Sequence, residues 1–241
     1  MSLKDQHVVV IGGSSGIGFA VAQAAAAEGA RVTIGSSSAA KVEAATARLG
    51  NAGAGFTVDV TDKAGVARAF LGLDPFDHLV FTAGDWGGPR RVGLKDLDLD
   101  AAPAIFGVRF WGALAATKAA LGKISPHGSI TLTNGLVAHR PPPGAAVSSA
   151  MAGAVEHLAR GLAVELAPLR VNCVCPGFIL TGVWDSIPAD QREARIAEMT
   201  RRFPLARAGE PSETAEAYLF LMRCGYATGQ VVKVDGGMGV V

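Results

Sequence analysis

The sequence predicts a doubly wound α/β fold on a seven-stranded, mostly parallel sheet, and three observations carry that expectation. Short apolar runs alternate with helix-period segments from end to end. The first of them, His7–Ile11, is a nearly unbroken β-branched run, as a strand covered on both faces requires. Of the 241 residues 49 % are apolar but only 6 % aromatic, with 31 glycines, so small side chains must cover both faces of the sheet and pack closely against it.

The elements follow in order. After the strand His7–Ile11, alanine-rich Gly16–Glu28 reads as a helix that Gly29 ends. Arg31–Ile34 is a second strand, and Ala39–Leu49 a helix with Gly50 behind it. Phe56–Val58, Lys63–Leu71 and His78–Phe81 continue as strand, helix and strand. Ala101–Leu121 reads as one long helix with Phe106, Phe110, Leu114, Thr117 and Leu121 along a face. Ser129–Leu132 is the fifth strand, and Val147–Leu166 a second long helix with Val147, Met151, Val155, Leu158, Leu162 and Leu166 at helical spacing. Arg170–Val174 is the sixth strand and Gln230–Val234 the last. Between them lie a polar helix, Pro188–Arg202, and Pro211–Met222, whose proline suits a first helical position. Nothing marks a linker, so residues 1–241 form one domain in this reading.

A formal net charge of +1 gives no electrostatic reason to expect nucleic acid or a membrane surface as partner. Arg90–Arg91 and Arg201–Arg202 are the basic pairs, and both read as solvated surface. Three cysteines cannot form a disulfide framework. Cys173 and Cys175 share a strand face in an apolar setting and read as buried, reduced thiols, with no metal-ligand spacing. No leader peptide or membrane-length apolar run is evident, so the expectation is a cytoplasmic protein.

The strongest motif is Gly12-Gly13-Ser14-Ser15-Gly16-Ile17-Gly18, between the first strand and the first helix. Glycines let the backbone turn tightly and approach a ligand. The helix that follows offers unpaired N–H groups and a positive dipole end to a pyrophosphate. With this Gly-x-x-x-Gly-x-Gly spacing the chain resembles the short-chain dehydrogenase/reductase family, and the resemblance runs nearly its whole length. Asp59-Val60-Thr61-Asp62 resembles the family's adenine-side segment, and Thr82-Ala83-Gly84 its Asn-Ala-Gly. Arg170-Val171-Asn172 and Pro176-Gly177-Phe178-Ile179-Leu180-Thr181 resemble the sixth strand and the loop over the nicotinamide. Arg207–Pro211, Thr228-Gly229-Gln230 and Asp235-Gly236-Gly237 resemble the family's last helix and strand.

The resemblance implies a Rossmann-type domain that binds a nicotinamide dinucleotide through Gly12, Ser14, Ser15, Gly16, Ile17 and Gly18. It adds Asp59, Val60, Thr82, Ala83, Gly84, Pro176, Gly177, Ile179 and Thr181, with helix N-capping as the other reading of Thr181. Ile34-Gly35-Ser36-Ser37-Ser38 lacks the acid that would bind a ribose 2′-hydroxyl, so Ser36 and Ser37 favour NADP(H) over NAD(H). Turn and capping chemistry is the other reading of these serines.

The family's Tyr, Lys, Ser and Asn positions fall here on Ser148, Ala152, Gly135 and Arg109. A serine hydroxyl is a far weaker acid than a phenol, and Ala152 supplies no cation. Arg109 can stabilise an oxyanion or serve a structural ion pair, and Asn134 can donate to a carbonyl or cap its loop. Ser148 is a third catalytic candidate. Asp85 and Trp86 are candidate pocket residues, His139 reads as an exposed turn residue, and His157 as surface or interface. The function implied is an atypical oxidoreductase acting on a small carbonyl or alcohol, the alternative being a catalytically silent cofactor sensor or partner subunit. The family's habit of pairing the two long helices implies a homodimer or homotetramer.

Overall fold

The computed structural model describes residues 2–84, 92–182 and 188–241, so Asp85, Trp86, Arg90 and Arg91 lie outside the described residues. Its elements are β1 (His7–Ile11), α1 (Gly16–Ala27), β2 (Arg31–Ser36), α2 (Ala39–Leu49), β3 (Gly53–Thr57), α3 (Lys63–Leu71) and β4 (Phe76–Phe81). Then follow α4 (Ala113–Ala120), β5 (Ile124–Thr133), α5 (Ala146–Glu165), β6 (Arg170–Pro176), α6 (Ala189–Thr200), α7 (Pro211–Arg223) and β7 (Val231–Val234). The seven strands pair in parallel in the order β3-β2-β1-β4-β5-β6-β7. This is the Rossmann-type α/β arrangement the sequence predicts. The order reverses between β1 and β4, which opens a crevice at the carboxyl ends of those strands.

Both faces are covered, and strand alternation divides the core in two. Val9, Ile11, Leu79, Phe81, Ile130 and Leu132 pack with residues of α3, α4 and α5. Val8, Val10, Val80 and Val174 face the other way, into α1, α2 and α7. Burying each such side chain contributes about 1.5–3 kcal/mol. Cys173 and Cys175 are buried and free, and desolvation raises both thiol pKa values, that of Cys175 to about 12. His78 is also buried, between Ser129 Oγ at 2.8 Å and Gln6 Oε1 at 3.0 Å. Burial, with the Arg170 charge second, lowers its pKa to about 4, so the ring stays neutral at ordinary pH.

The Arg-Val-Asn segment has a structural task. Arg170 donates to the carbonyls of Leu221, Met222 and Cys224 at 2.5, 2.8 and 3.0 Å, satisfying acceptors that the end of α7 leaves open. Asn172 donates to Ala227 O at 2.9 Å and accepts from Gln230 N at 3.0 Å, fixing the approach to β7.

The single long helix expected over Ala101–Leu121 is the main correction. A 3₁₀ segment, Ala102–Phe106, leads into a π-helical one, Gly107–Gly112, before α4 begins. Apolar spacing alone does not separate turns of three, four or five residues, and Pro103 and two flanking glycines loosen this stretch. A Cβ on Gly112 would come within 2.8 Å of Val60 Cγ2, so the wide turn lies hard against that side chain. Phe106, Phe110 and Leu114 still pack on the core and Thr117 is buried, but Leu121 is exposed. β5 runs ten residues rather than four, and β3 lies earlier than Phe56–Val58. Among the described residues no helix is long and apolar enough to cross a membrane.

Candidate active site

At the crevice the glycine loop is dictated by close approach. Gly12 has φ +85°, and a Cβ there would lie 2.4 Å from Ala83 N. On Gly18 a Cβ would lie 2.3 Å from both Gly12 O and Thr82 Oγ1. Gly16 has φ +53° and faces Thr181, whose Cγ2 would be 3.3 Å from an added Cβ. Two loops far apart in sequence thus meet over the end of β1. Ser15 is the N-cap of α1 in extended conformation, and its side chain makes no capping hydrogen bond. The first α1 N–H groups thus receive no side-chain cap from Ser15.

The remaining cofactor-side candidates gather around this loop. Ser14 Oγ donates to Ser36 Oγ at 3.0 Å at the end of β2, and Ser37 is exposed beside it. Ser38 accepts from Lys41 N at 3.4 Å and caps α2, so capping accounts for that serine. Asp59 is exposed, and hydrogen bonds from Thr61 N–H and then its hydroxyl lower its pKa. Val60 is buried. Thr82 Oγ1 donates to Ile11 O at 3.0 Å, and Ala83 N donates to the same oxygen at 3.1 Å. Pro176 ends β6, Gly177 N donates to Val234 O at 2.9 Å, and Ile179 bridges to Gly209. Pro188, not Thr181, is the N-cap of α6.

These loops open onto a cavity of about 340 Å³ lined by Phe178 from the Pro176–Thr181 loop and, beyond the loops, by Arg109, Asn134, Gly135, Arg140 and Ser148. Arg109, on the π-helical turn, donates through Nη1 to Asn134 O at 3.0 Å. Its guanidinium fills the space beside Gly84, where a Cβ would lie 2.4 Å from Nη2. Ser148 is buried and donates to Ala145 O at 3.0 Å.

One expectation needs correction here. Asn134 does not aim its amide at the cavity: Nδ2 donates to Glu156 Oε1 at 2.7 Å and points to Ala152 O at 3.5 Å. His139 is the exposed turn residue expected, and its Nε2 also donates to the same Glu156 oxygen at 2.7 Å. Glu156 is 4 % exposed, one turn beyond Ala152, with Arg160 Nη2 at 3.9 Å. Sequence reasoning missed it. The available signal was an acid continuing the Ser148–Ala152 spacing along one helical face. Ligand atoms of His139, Glu156 and Cys175 lie within 4.8 Å of one another, a grouping the chain spacing does not reveal. With two donors already on Oε1 and the Cys175 thiol held protonated, it is a hydrogen-bonded cluster in this structure. Tyr218 is buried against Thr133 Oγ1 at 2.7 Å with a raised pKa, which makes it a structural hydroxyl. His157 is exposed.

The family model described as enoyl-(acyl carrier protein) reductase matches residues 11–239. The short-chain dehydrogenase/reductase ATR9 of Stachybotrys chlorohalonatus is 33 % identical, with 98 % of each chain covered. The chain belongs to the short-chain dehydrogenase/reductase family. Among solved structures of this oxidoreductase family, MalC reductase/Diels-Alderase from Malbranchea aurantiaca superposes with a TM-score of 0.91 at 32 % identity, covering 99 % of this chain and 98 % of MalC. The NADPH-bound short-chain oxidoreductase from Pseudomonas aeruginosa PAO1, described as containing an atypical catalytic center, gives a TM-score of 0.87 at 28 % identity over 98 % of both chains. As a short-chain dehydrogenase/reductase, this chain places the carboxyl-edge cavity where members of the fold bind their ligands.

Proposed function

We propose that the chain is an oxidoreductase that binds NADP(H) in preference to NAD(H) and exchanges hydride with a small carbonyl or alcohol compound. In this reading it does so without the tyrosine–lysine pair of its family. The observation that carries the reading is the meeting of the glycine loop and the Pro176–Thr181 loop at Gly16 and Thr181, beside a cavity with Arg109 in its far wall. The close approaches at Gly12 and Gly18 fold the loop at the start of α1 tightly on itself and on Thr82–Ala83, a turn that suits a pyrophosphate held by backbone amides. NADPH, when bound, supplies the hydride.

The chain's own residues do the rest. Amides at the start of α1 hold the pyrophosphate, and Ser14 with Ser36 offers hydroxyls near the ribose 2′ position, where no acid repels a phosphate. Ile17, Thr82, Ala83, Gly84, Gly177 and Ile179 enclose the nicotinamide side, and Asp59 with Val60 the adenine side. Arg109 donates to oxygen charge that develops on the carbonyl, and Ser148 lies within the same cavity. An arginine stays protonated at neutral pH, so the proton reaches the alkoxide from water entering at the cavity mouth. The NADPH-bound Pseudomonas structure and its atypical center support both parts of the reading. Residues 1–241 act as one domain, in a cytoplasmic homodimer or homotetramer; exposed Trp111 on the π-helical turn, Leu121 at the end of α4 and Val164 on α5 fit such pairing.

The test is a fluorescence titration with NADPH and NADH, followed by turnover on a carbonyl panel. NADPH should bind more tightly than NADH. Arg109→Ala should lower turnover about 100-fold and leave NADPH affinity within about threefold. A folded protein with no affinity for either nucleotide overturns the reading. Tight binding without turnover points instead to a cofactor-binding protein that does no chemistry.

A further inference from the structure

A second cavity, of about 680 Å³, adjoins the first and is lined by Arg140, Arg201, Arg202, His139 and Phe203 among others. Arg140, Pro142 and Met238 line both cavities, so the two lie side by side with Arg140 common to them. Phe178 on the inner side and Phe203 on the outer side meet edge to face at 6.5 Å and form an apolar wall between them.

We infer that this outer cavity binds the anionic far end of the substrate, a phosphate ester or carboxylate carried on the same molecule as the reacting carbonyl. The inference rests on the oxidoreductase reading of the inner cavity. Its ground is charge. Three arginines line the space, against one acidic side chain, Glu198. Glu198 is engaged with Arg201 at 3.8 Å, both side chains being largely exposed. Arg140 and Arg202 have no carboxylate partner among the described residues.

A helix C-terminus favours cations, and that alone accommodates Arg201 and Arg202 at the end of α6. It does not bring Arg140 to them from the loop after β5. Arg140 is held there by its N–H, which donates to Leu136 O at 2.8 Å, and by Pro141, Pro142 and Pro143 behind it. Such a stiff segment fixes where the Arg140 backbone stands, so the loop itself loses little freedom when the side chain meets an anion. Guanidinium groups also match the flat, forked geometry of carboxylates and phosphates.

The experiment measures binding to the NADP⁺-loaded protein by calorimetry in low salt, with paired probes. Acetoacetyl-CoA is compared with neutral acetoacetyl-N-acetylcysteamine, and levulinate with its methyl ester. At least one anionic probe should bind about tenfold more tightly than its neutral partner, with the gap shrinking as salt rises. Which pair shows the gap tells a long phosphate arm from a nearby carboxylate. Arg140→Gln, and separately the double change Arg201→Gln, Arg202→Gln, should bring the anionic probe down to the neutral one, while NADPH binding reports that each variant is folded. Equal affinities within both pairs, or a gap that survives both variants, overturns the inference. Failure to bind NADPH at all would instead sink the cofactor reading, and this inference with it.

Discussion

The glycine loop after β1 and the loop after β5 open onto one cavity but are made of different material. The first is backbone: Gly12, Gly16 and Gly18 let the chain pack closely on itself, on Ala83 and on Thr181. The second is side chain: Arg109 holds Asn134 O, the Asn134 amide holds Glu156, and His139 completes the cluster. A backbone site needs only particular glycines and is fixed by steric necessity. A side-chain site can be rebuilt from other residues on the same frame, because each partner is replaceable if its hydrogen bonds are met.

The comparison breaks first, and hardest, at Gly18→Ala. Its Cβ would lie 2.3 Å from Gly12 O, so NADPH affinity should fall at least ~100-fold, as the glycine loop is forced apart. Fluorescence titration checks this, and an intact affinity would show that the loop is not the grip. Glu156→Ala strikes the other region. It strands the buried Asn134 amide and removes the acceptor of the exposed His139 ring, and should lower unfolding free energy by about 3 kcal/mol in urea melts. An unchanged midpoint would mean that the cluster holds nothing in place.

Acid tests the frame common to both regions. The folded-state pKa of His78 is about 4 against 6.5 unfolded, so the unfolded chain binds the proton more readily. The stability it contributes is present above pH 6.5 and is lost as pH falls towards 4, amounting to about 2 kcal/mol by pH 5. Urea midpoints at pH 7.5 and 5.0 measure this. His78→Asn should flatten the profile. The smallest effect belongs to Gly135, which is extended at φ −168° with open space where a Cβ would go. Gly135→Ala should raise stability by about 0.5 kcal/mol and leave NADPH binding intact. Loss of binding there would erase the contrast between the two loops.

Legibility in the sequence follows the same division. The α5 stripe from Val147 to Leu166 packs on the core as its spacing predicts, because a regular helix carries its burial pattern in the sequence. The segment Ala101–Leu121 shows the limit, since apolar periodicity tolerated 3₁₀ and π turns where one α-helix was expected. The glycine loop was readable because one short stretch contains all its parts. Glu156 was not, because its partners Asn134 and His139 come from the loop after β5 and its role exists only when that loop folds onto α5.

The sequence by itself determined the alternating βα order, the two-faced sheet and the phosphate-type turn, since each follows from local pattern and backbone sterics. Only the tertiary structure decided that Asn134 and His139 turn towards Glu156, that Arg109 fills the space beside Gly84, and that Arg140 stands with Arg201 and Arg202. Those are long-range pairings of charge and hydrogen bond, and no local propensity encodes which distant partner a buried polar group will meet.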